Sequence, residues 1–320
     1  MESKIKKISI VVYCNGDFQK TKQTLYSLID QNISHLFFDV FILSDNANKN
    51  FSQKLNDFIK KEELINYHIF SFDYWTGLPL TFSFLLKNNI IKTTYTTIVK
   101  SGDTLADGWL EYFLNNLYPM KYDLYMTDLK DELYIPKDNI ENDGKDFSIS
   151  KSRIIITPTP SGELSQNEAI CTKPILLGKI WKTKNIRNIK LDNDRILYQD
   201  IFMYIQMILF SQKIWYENKY SGTVRRKPLF PKTMDPKRIE LFSITLNKMI
   251  SRHPFVNGHV LQLLALALEK TQKENQKLYL LSNYKYLQDN FEIVPIYNLS
   301  KRKVVKLTKP FVEQGEIKVE

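Results

Sequence analysis

The sequence predicts an α/β fold: a layered sheet with helices on its faces, followed by a helical C-terminal extension. Three observations predict it. Short β-branched and aromatic runs alternate with apolar stripes at helical spacing. The runs show no polar alternation, which marks strands buried on both faces. Three of the loops behind them, 13–17, 44–48 and 100–103, are polar and carry an Asp, and open α/β sheets bind ligands outside the carboxyl ends of their strands.

The elements follow in order. Residues 8–12 form the first buried run, closed by the turn Cys14-Asn15-Gly16-Asp17. Leu25, Leu28 and Ile29 then repeat at helical spacing, ending near Gln31. Residues 38–43 are a second strand, closed by Ser44-Asp45-Asn46, and Phe51, Leu55 and Phe58 mark a second helical face. Residues 67–70 read as a strand, 80–91 as a helix and 96–99 as a fourth strand. This βαβαβαβ order implies right-handed crossovers. The middle of the chain is less regular: a strand at 153–157, a turn cluster at 158–162, and a stripe of Ile201, Tyr204, Ile205 and Ile208 behind Asp200. Asp235-Pro236 is an N-cap followed by Pro at the first helical position. Ile239, Phe242, Leu246 and Met249 repeat behind it, and 259–268 and 278–287 read as two further helices. The expected division is 1–230 and 231–320.

With 320 residues the chain has ample length for a core. Its formal charge of +10 suits anionic partners, such as a phosphate-rich polymer or a lipid headgroup surface. The lysines are scattered, and the aromatics are not interleaved with a basic stripe, so nucleic-acid binding is not expected. Two cysteines, Cys14 and Cys171, make no disulfide framework and suit a reducing cytoplasm. Apolar stretches are far below a membrane span, so any membrane contact is peripheral, at the inner face. The four histidines share no metal spacing. There is no Gly-rich phosphate loop and no HExxH.

Several segments, in order, resemble the family 2 glycosyltransferases of the GT-A type. Residues 9–15, Ser-Ile-Val-Val-Tyr-Cys-Asn, resemble the family's opening strand and turn, and 27–31 the helix end behind it. Residues 41–47 resemble the second strand, whose Asp reads the nucleotide base. Residues 95–105 are similar to the strand leading into the DxD motif, with Trp109-Leu110 at the family's spacing. Tyr198-Gln199-Asp200 resembles the acidic pair that supplies the catalytic base, and Val224-Arg225-Arg226 a basic segment after the last strand. The likeness covers roughly residues 7–228. The helical end resembles polymer-modifying members, such as those that decorate wall teichoic acids.

The resemblance implies a GT-A (Rossmann-like) mixed sheet and an inverting, cytoplasmic transferase that moves a sugar from a nucleotide diphosphate, UDP-linked, to a hydroxyl of a glycan, anionic polymer or protein. Tyr13, Asn15, Asp45, Lys100, Ser101 and Arg225 would hold the donor. Asp103 would hold a divalent metal, Mn²⁺ or Mg²⁺, and Asp200 would take the acceptor's proton. The C-terminal helices would bind acceptor or form a homo-oligomer. The chain departs from the family in two places. Aligned through Trp109-Leu110, the two DxD positions fall on Lys100 and Gly102, with Asp103 following; shifted by one, Ser101-Gly102-Asp103 reads as DxD with Ser for the first Asp. The family's upstream Arg-Asn pair falls on Phe84 and Leu85.

Plainer roles stand beside each of these: a turn or cap for Asp45, Asp103 and Asp200, and a solvated basic turn for Arg225 and Arg226. Two other functions remain open. A glycosyltransferase-like partner subunit without chemistry would suit the altered loop, though not a retained Asp200. A nucleotidyltransferase would want a basic Gly loop after the first strand, and residues 13–17 hold no Lys or Arg.

Overall fold

The computed structural model describes residues 6–45, 49–74, 76–136, 147–155, 160–170, 175–187, 189 and 199–226. The N-terminal part alternates as its pattern demands: β1 (Ile8–Cys14), α1 (Phe18–Ile29), β2 (Phe38–Asp45), α2 (Lys49–Lys61), β3 (Tyr67–Phe72), α3 (Leu78–Lys87) and β4 (Tyr95–Lys100). Then come β5 (Thr104–Leu105), α4 (Trp109–Tyr112), β6 (Leu124–Pro136), β7 (Phe147–Ile155), β8 (Gly162–Leu164), α5 (Gln166–Ile170), β9 (Lys179–Lys182), α6 (Thr183–Ile186), α7 (Gln199–Leu209) and β10 (Ile214–Arg226).

Among the described residues these strands make one mixed sheet of order β3-β2-β1-β4-β9-β6-β10-β5, with β7 beside β6 and β8 beside β10. β1, β2, β3 and β4 run parallel. β9 is antiparallel to both β4 and β6, and β10 returns parallel to β6. Strands that bury both faces need apolar side chains throughout. β1 supplies Ile8, Ile10, Val11 and Val12, all without exposed surface. Leu25 and Leu28 of α1 and Phe51, Leu55 and Phe58 of α2 close one side of the core. Tyr95, Phe113 and Tyr125 pack edge to face with centroids 5.5–5.7 Å apart. Their buried hydroxyls are satisfied: Tyr95 donates to the Tyr122 carbonyl at 2.8 Å and Tyr125 to that of Leu117 at 2.7 Å. These rings are core, as the lack of a basic stripe implies.

α3 differs from its expected span. It starts earlier, behind Gly77 with Pro79 in its first turn, and ends at Asn88. Asn89 takes a left-handed φ of 52°, while Ile91 is buried from the loop. An apolar residue at helical spacing therefore extended the stripe past the helix. β6, β9 and β10 fall in the stretch that reads as irregular. β10 carries register shifts on both sides of Tyr220, and such bulges break the alternation by which a strand is recognised.

The sheet belongs to one compact unit, residues 1–169, 174–195 and 203–227. A second comprises 170–173, 196–202 and 228–320. The boundary expected at 230–235 and the helices expected beyond it lie outside the described residues, as does Cys171.

Candidate functional site

From β1 the chain winds outward through β2 and β3, then returns to the other flank of β1 as β4. The strand order therefore reverses between β1 and β4, and open α/β sheets bind ligands outside the carboxyl ends of strands at such a point. Tyr13 and Lys100 are register partners there, and the Ser101 amide donates to the Tyr13 carbonyl at 2.8 Å. Tyr13, Lys100 and Ser101 are half-buried, and Asn15 is exposed in the turn before α1. Four residues expected at the donor are therefore brought together by the reversal of strand order.

Asp45 ends β2 one strand away and has no exposed surface. Its carboxylate accepts from the Tyr13 hydroxyl at 2.6 Å and from the amides of Thr76 and Gly77 at 2.7 Å each. A carboxylate offers about four acceptor positions, so three are filled from within. Gly77 caps α3 with a φ of 85°, and an anion at that helix start is favoured by the helix dipole. Asp45 therefore ties β1, β2 and the start of α3 together, and it fixes the tilt of the Tyr13 ring. Asn46 and Ala47, which share its motif, lie outside the described residues.

The loop behind Lys100 is laced to α1. Thr21 shares a hydrogen bond with Ser101 at 3.0 Å. Thr24 accepts from the Gly102 amide at 2.9 Å and donates to the Asp103 carbonyl at 2.7 Å. Ser27 accepts from the Leu105 amide, and Gln31 bridges the Ala106 carbonyl and the Leu110 amide. The Lys20 stem crosses the loop: a Cβ built on Gly102 would sit 3.5 Å from Lys20 Cδ. Thr21, Thr24 and Ser27 of α1, with Gln31 just past its end, recur at helical spacing and carry this lacing beside the Lys20 stem. That stripe was visible in the sequence beside the apolar stripe of Leu25 and Leu28.

Asp103 is 4% exposed. Burial pushes its carboxyl up to about 7, against the pull of the Arg225 amide and the Lys100 charge. One carboxylate oxygen accepts from the Arg225 amide at 2.9 Å. Arg225 lies inside β10, not in a turn after the last strand, because β10 runs on through Arg226 beside β6. Its guanidinium donates to Glu132 at 3.0 Å and reaches the Gly102 carbonyl at 3.4 Å. Glu132 also meets Lys130 at 2.9 Å. Burial raises the Glu132 carboxyl, but hydrogen bonds from Lys130 and Arg225 outweigh it and hold the group low.

These residues do not fit a divalent cation. A hard cation wants several oxygen ligands at once. The loop offers one buried carboxyl already tied to β10, and Lys100 or Ser101 stands where the motif's first carboxylate would. Among the described residues no group of three or more His, Cys, Asp or Glu could hold a metal. Asp200 falls in the first turn of α7, and its side chain lies outside the described residues, as does that of Arg226. Cys14 is buried, and burial pushes its thiol up to about 12, the state of an inert core residue. No helix among the described residues is long and apolar enough to cross a membrane.

No family model matches the sequence, and no curated protein matches it either. Solved structures do. TarS of S. aureus, residues 1–349, superposes with a TM-score of 0.60 at 15% identity, over 88% of this chain and 80% of that one. Its complex with UDP-GlcNAc gives 0.62 at 13% identity over 88% and 81%. Its complex with UDP gives 0.57 at 14% identity over 96% and 77%. The fold of this chain is therefore the GT-A glycosyltransferase fold.

Proposed function

We propose that the chain is an inverting glycosyltransferase that takes its sugar from a UDP-linked donor bound outside the carboxyl ends of β1 and β4. The observation that carries this reading is the convergence of Tyr13, Asp45, Lys100 and the 101–105 loop at the switch point of the strand order. The support from likeness is a fold shared with TarS, which has been solved with UDP-GlcNAc and with UDP.

In this reading the base lies against the Tyr13 ring, which Asp45 holds in place through the hydroxyl. The diphosphate lies over Lys100 and Ser101. Asp200 takes the proton of the acceptor hydroxyl as its oxygen bonds to the anomeric carbon and the bond to the diphosphate breaks, releasing UDP. Its place in the first turn of a helix favours the ionised form a base needs. The acceptor is a hydroxyl of a glycan, an anionic polymer or a protein, the basic balance of the chain favouring an anionic one.

Calorimetry with a panel of nucleotide sugars tests the donor, and UDP release with candidate acceptors tests the chemistry. One UDP-sugar is expected to bind. Asp200→Asn is expected to lower turnover by about a hundredfold or more with donor affinity kept. No binding of any nucleotide sugar overturns the reading. Binding without turnover, unaltered by Asp200→Asn, favours the partner-subunit reading instead, for which the altered loop at Lys100 and Gly102 speaks.

A further inference from the structure

We propose that this chain neutralises the donor diphosphate with two ammonium groups in place of a divalent cation: Lys100 at the end of β4 and Lys20 in the first turn of α1. The proposal rests on the UDP-donor reading above and deepens it at the phosphates.

The loop is built against a paired-carboxylate metal site in three ways. In the register set by Trp109-Leu110, Lys100 puts a positive charge where the first carboxylate would stand, and a like charge opposes a bound cation. Gly102 occupies the second position with a φ of 99°, a conformation an Asp adopts only with strain. Restoring that carboxylate would therefore require the loop to change path. Asp103, the remaining acid, points its carboxylate at the Arg225 amide and is nearly closed to solvent. Its bond fastens the loop to β10.

The same geometry gathers positive charge around the carboxyl ends of β1 and β4. Lys100 faces Tyr13 across β1 and β4. The Lys20 stem lies beside Gly102, and its ammonium sits at Asp17 in the turn that follows β1. Lys20 pairs with Asp17 at 2.9 Å, with 46% and 39% of the two side chains exposed. An ion pair that open to water contributes little and is readily exchanged for a phosphate. The lacing of α1 to residues 101–105 keeps both lysines in register. Lysine serves here as a mobile point charge, a role it fills at phosphates generally.

UDP and uridine are titrated into the full chain by calorimetry in EDTA, in Mg²⁺ and in Mn²⁺. UDP is expected to bind with the same affinity, within about twofold, in all three. Lys100→Met is expected to weaken UDP about tenfold and Lys20→Met about threefold, with uridine unchanged in both. Lys100→Arg, which keeps the charge, should stay within about threefold of the parent. Affinity for UDP that rises tenfold or more from EDTA to Mn²⁺ overturns this inference and leaves the donor reading standing. A loss of uridine affinity equal to the loss for UDP in Lys100→Met makes Lys100 structural and also overturns it. UDP that fails to bind under every condition overturns both readings together.

Discussion

Asp45 shows how much one carboxylate can organise. With no exposed surface and three short hydrogen bonds, it joins a tyrosine on β1 to two consecutive amides before α3. Asp45→Asn keeps the shape but turns half of the acceptor into a donor, facing donors. A loss of about 2–3 kcal/mol is expected, read from the urea midpoint at constant m. Tyr13→Phe removes one bond of the three, and about 1 kcal/mol is expected. If both variants match the parent, the carboxylate is not the strut described. The sequence places Asp45 at the end of the second strand, where the structure has it, because a buried run ending in a polar residue is a local pattern. That its oxygens would turn to residues 76 and 77 was not legible, since those amides lie in a different loop and present no side-chain signal.

At the scale of elements, α1 packs its apolar face on the core and holds the 101–105 loop with its polar face. Thr24 satisfies a buried amide and a buried carbonyl of the loop at once. Thr24→Val is nearly the same volume and leaves both unpaired. The expected cost is about 2–4 kcal/mol, with faster hydrogen exchange at residues 102–105 than elsewhere in the sheet. A uniform change in exchange across the sheet would show that the lacing does not hold the loop. β10 holds the loop from the other side. A Cβ on Gly222 would lie 2.3 Å from the Thr104 carbonyl oxygen, so β5 and β10 meet here only because the residue has no side chain. The order of β1 to β4 was legible because each strand is a continuous apolar run. β9 and β10 were not, since Lys179 and Lys182 flank a two-residue apolar centre and β10 is bulged around Tyr220.

For the whole molecule, the pH dependence of stability carries a signature of Lys179. This residue opens β9 and is 4% exposed, with its ammonium 5.7 Å from the Tyr204 ring. Burial pulls its pKa from 10.5 down to about 7, against the attraction of Asp128. Between those values the unfolded chain holds the proton and the folded one does not. The contribution of this group to stability therefore falls as pH drops from 10.5 towards 7, and it levels off below. Lys179→Met should be more stable than the parent at pH 7, on the order of a few kcal/mol, and the gap should narrow by pH 9. Urea midpoints of both proteins at the two pH values check this; a gap that stays constant with pH would refute the assignment.

The α/β class, the four parallel strands and the polar loops at their carboxyl ends follow from local patterning: apolar runs, helical stripes and polar stops after the strands. Such signals depend only on neighbours along the chain. The likeness to GT-A proteins rests on the same order of segments, and the fold bears it out. Tertiary structure alone decided what the acidic residues do. Asp45 and Asp103 look alike in sequence, each an Asp at the end of a buried run. One is engaged by a tyrosine and two amides and the other by the amide of Arg225, 122 residues away. A carboxylate's role is set by which donors surround it and how far water is excluded, and both depend on chain segments that meet only when the sheet closes.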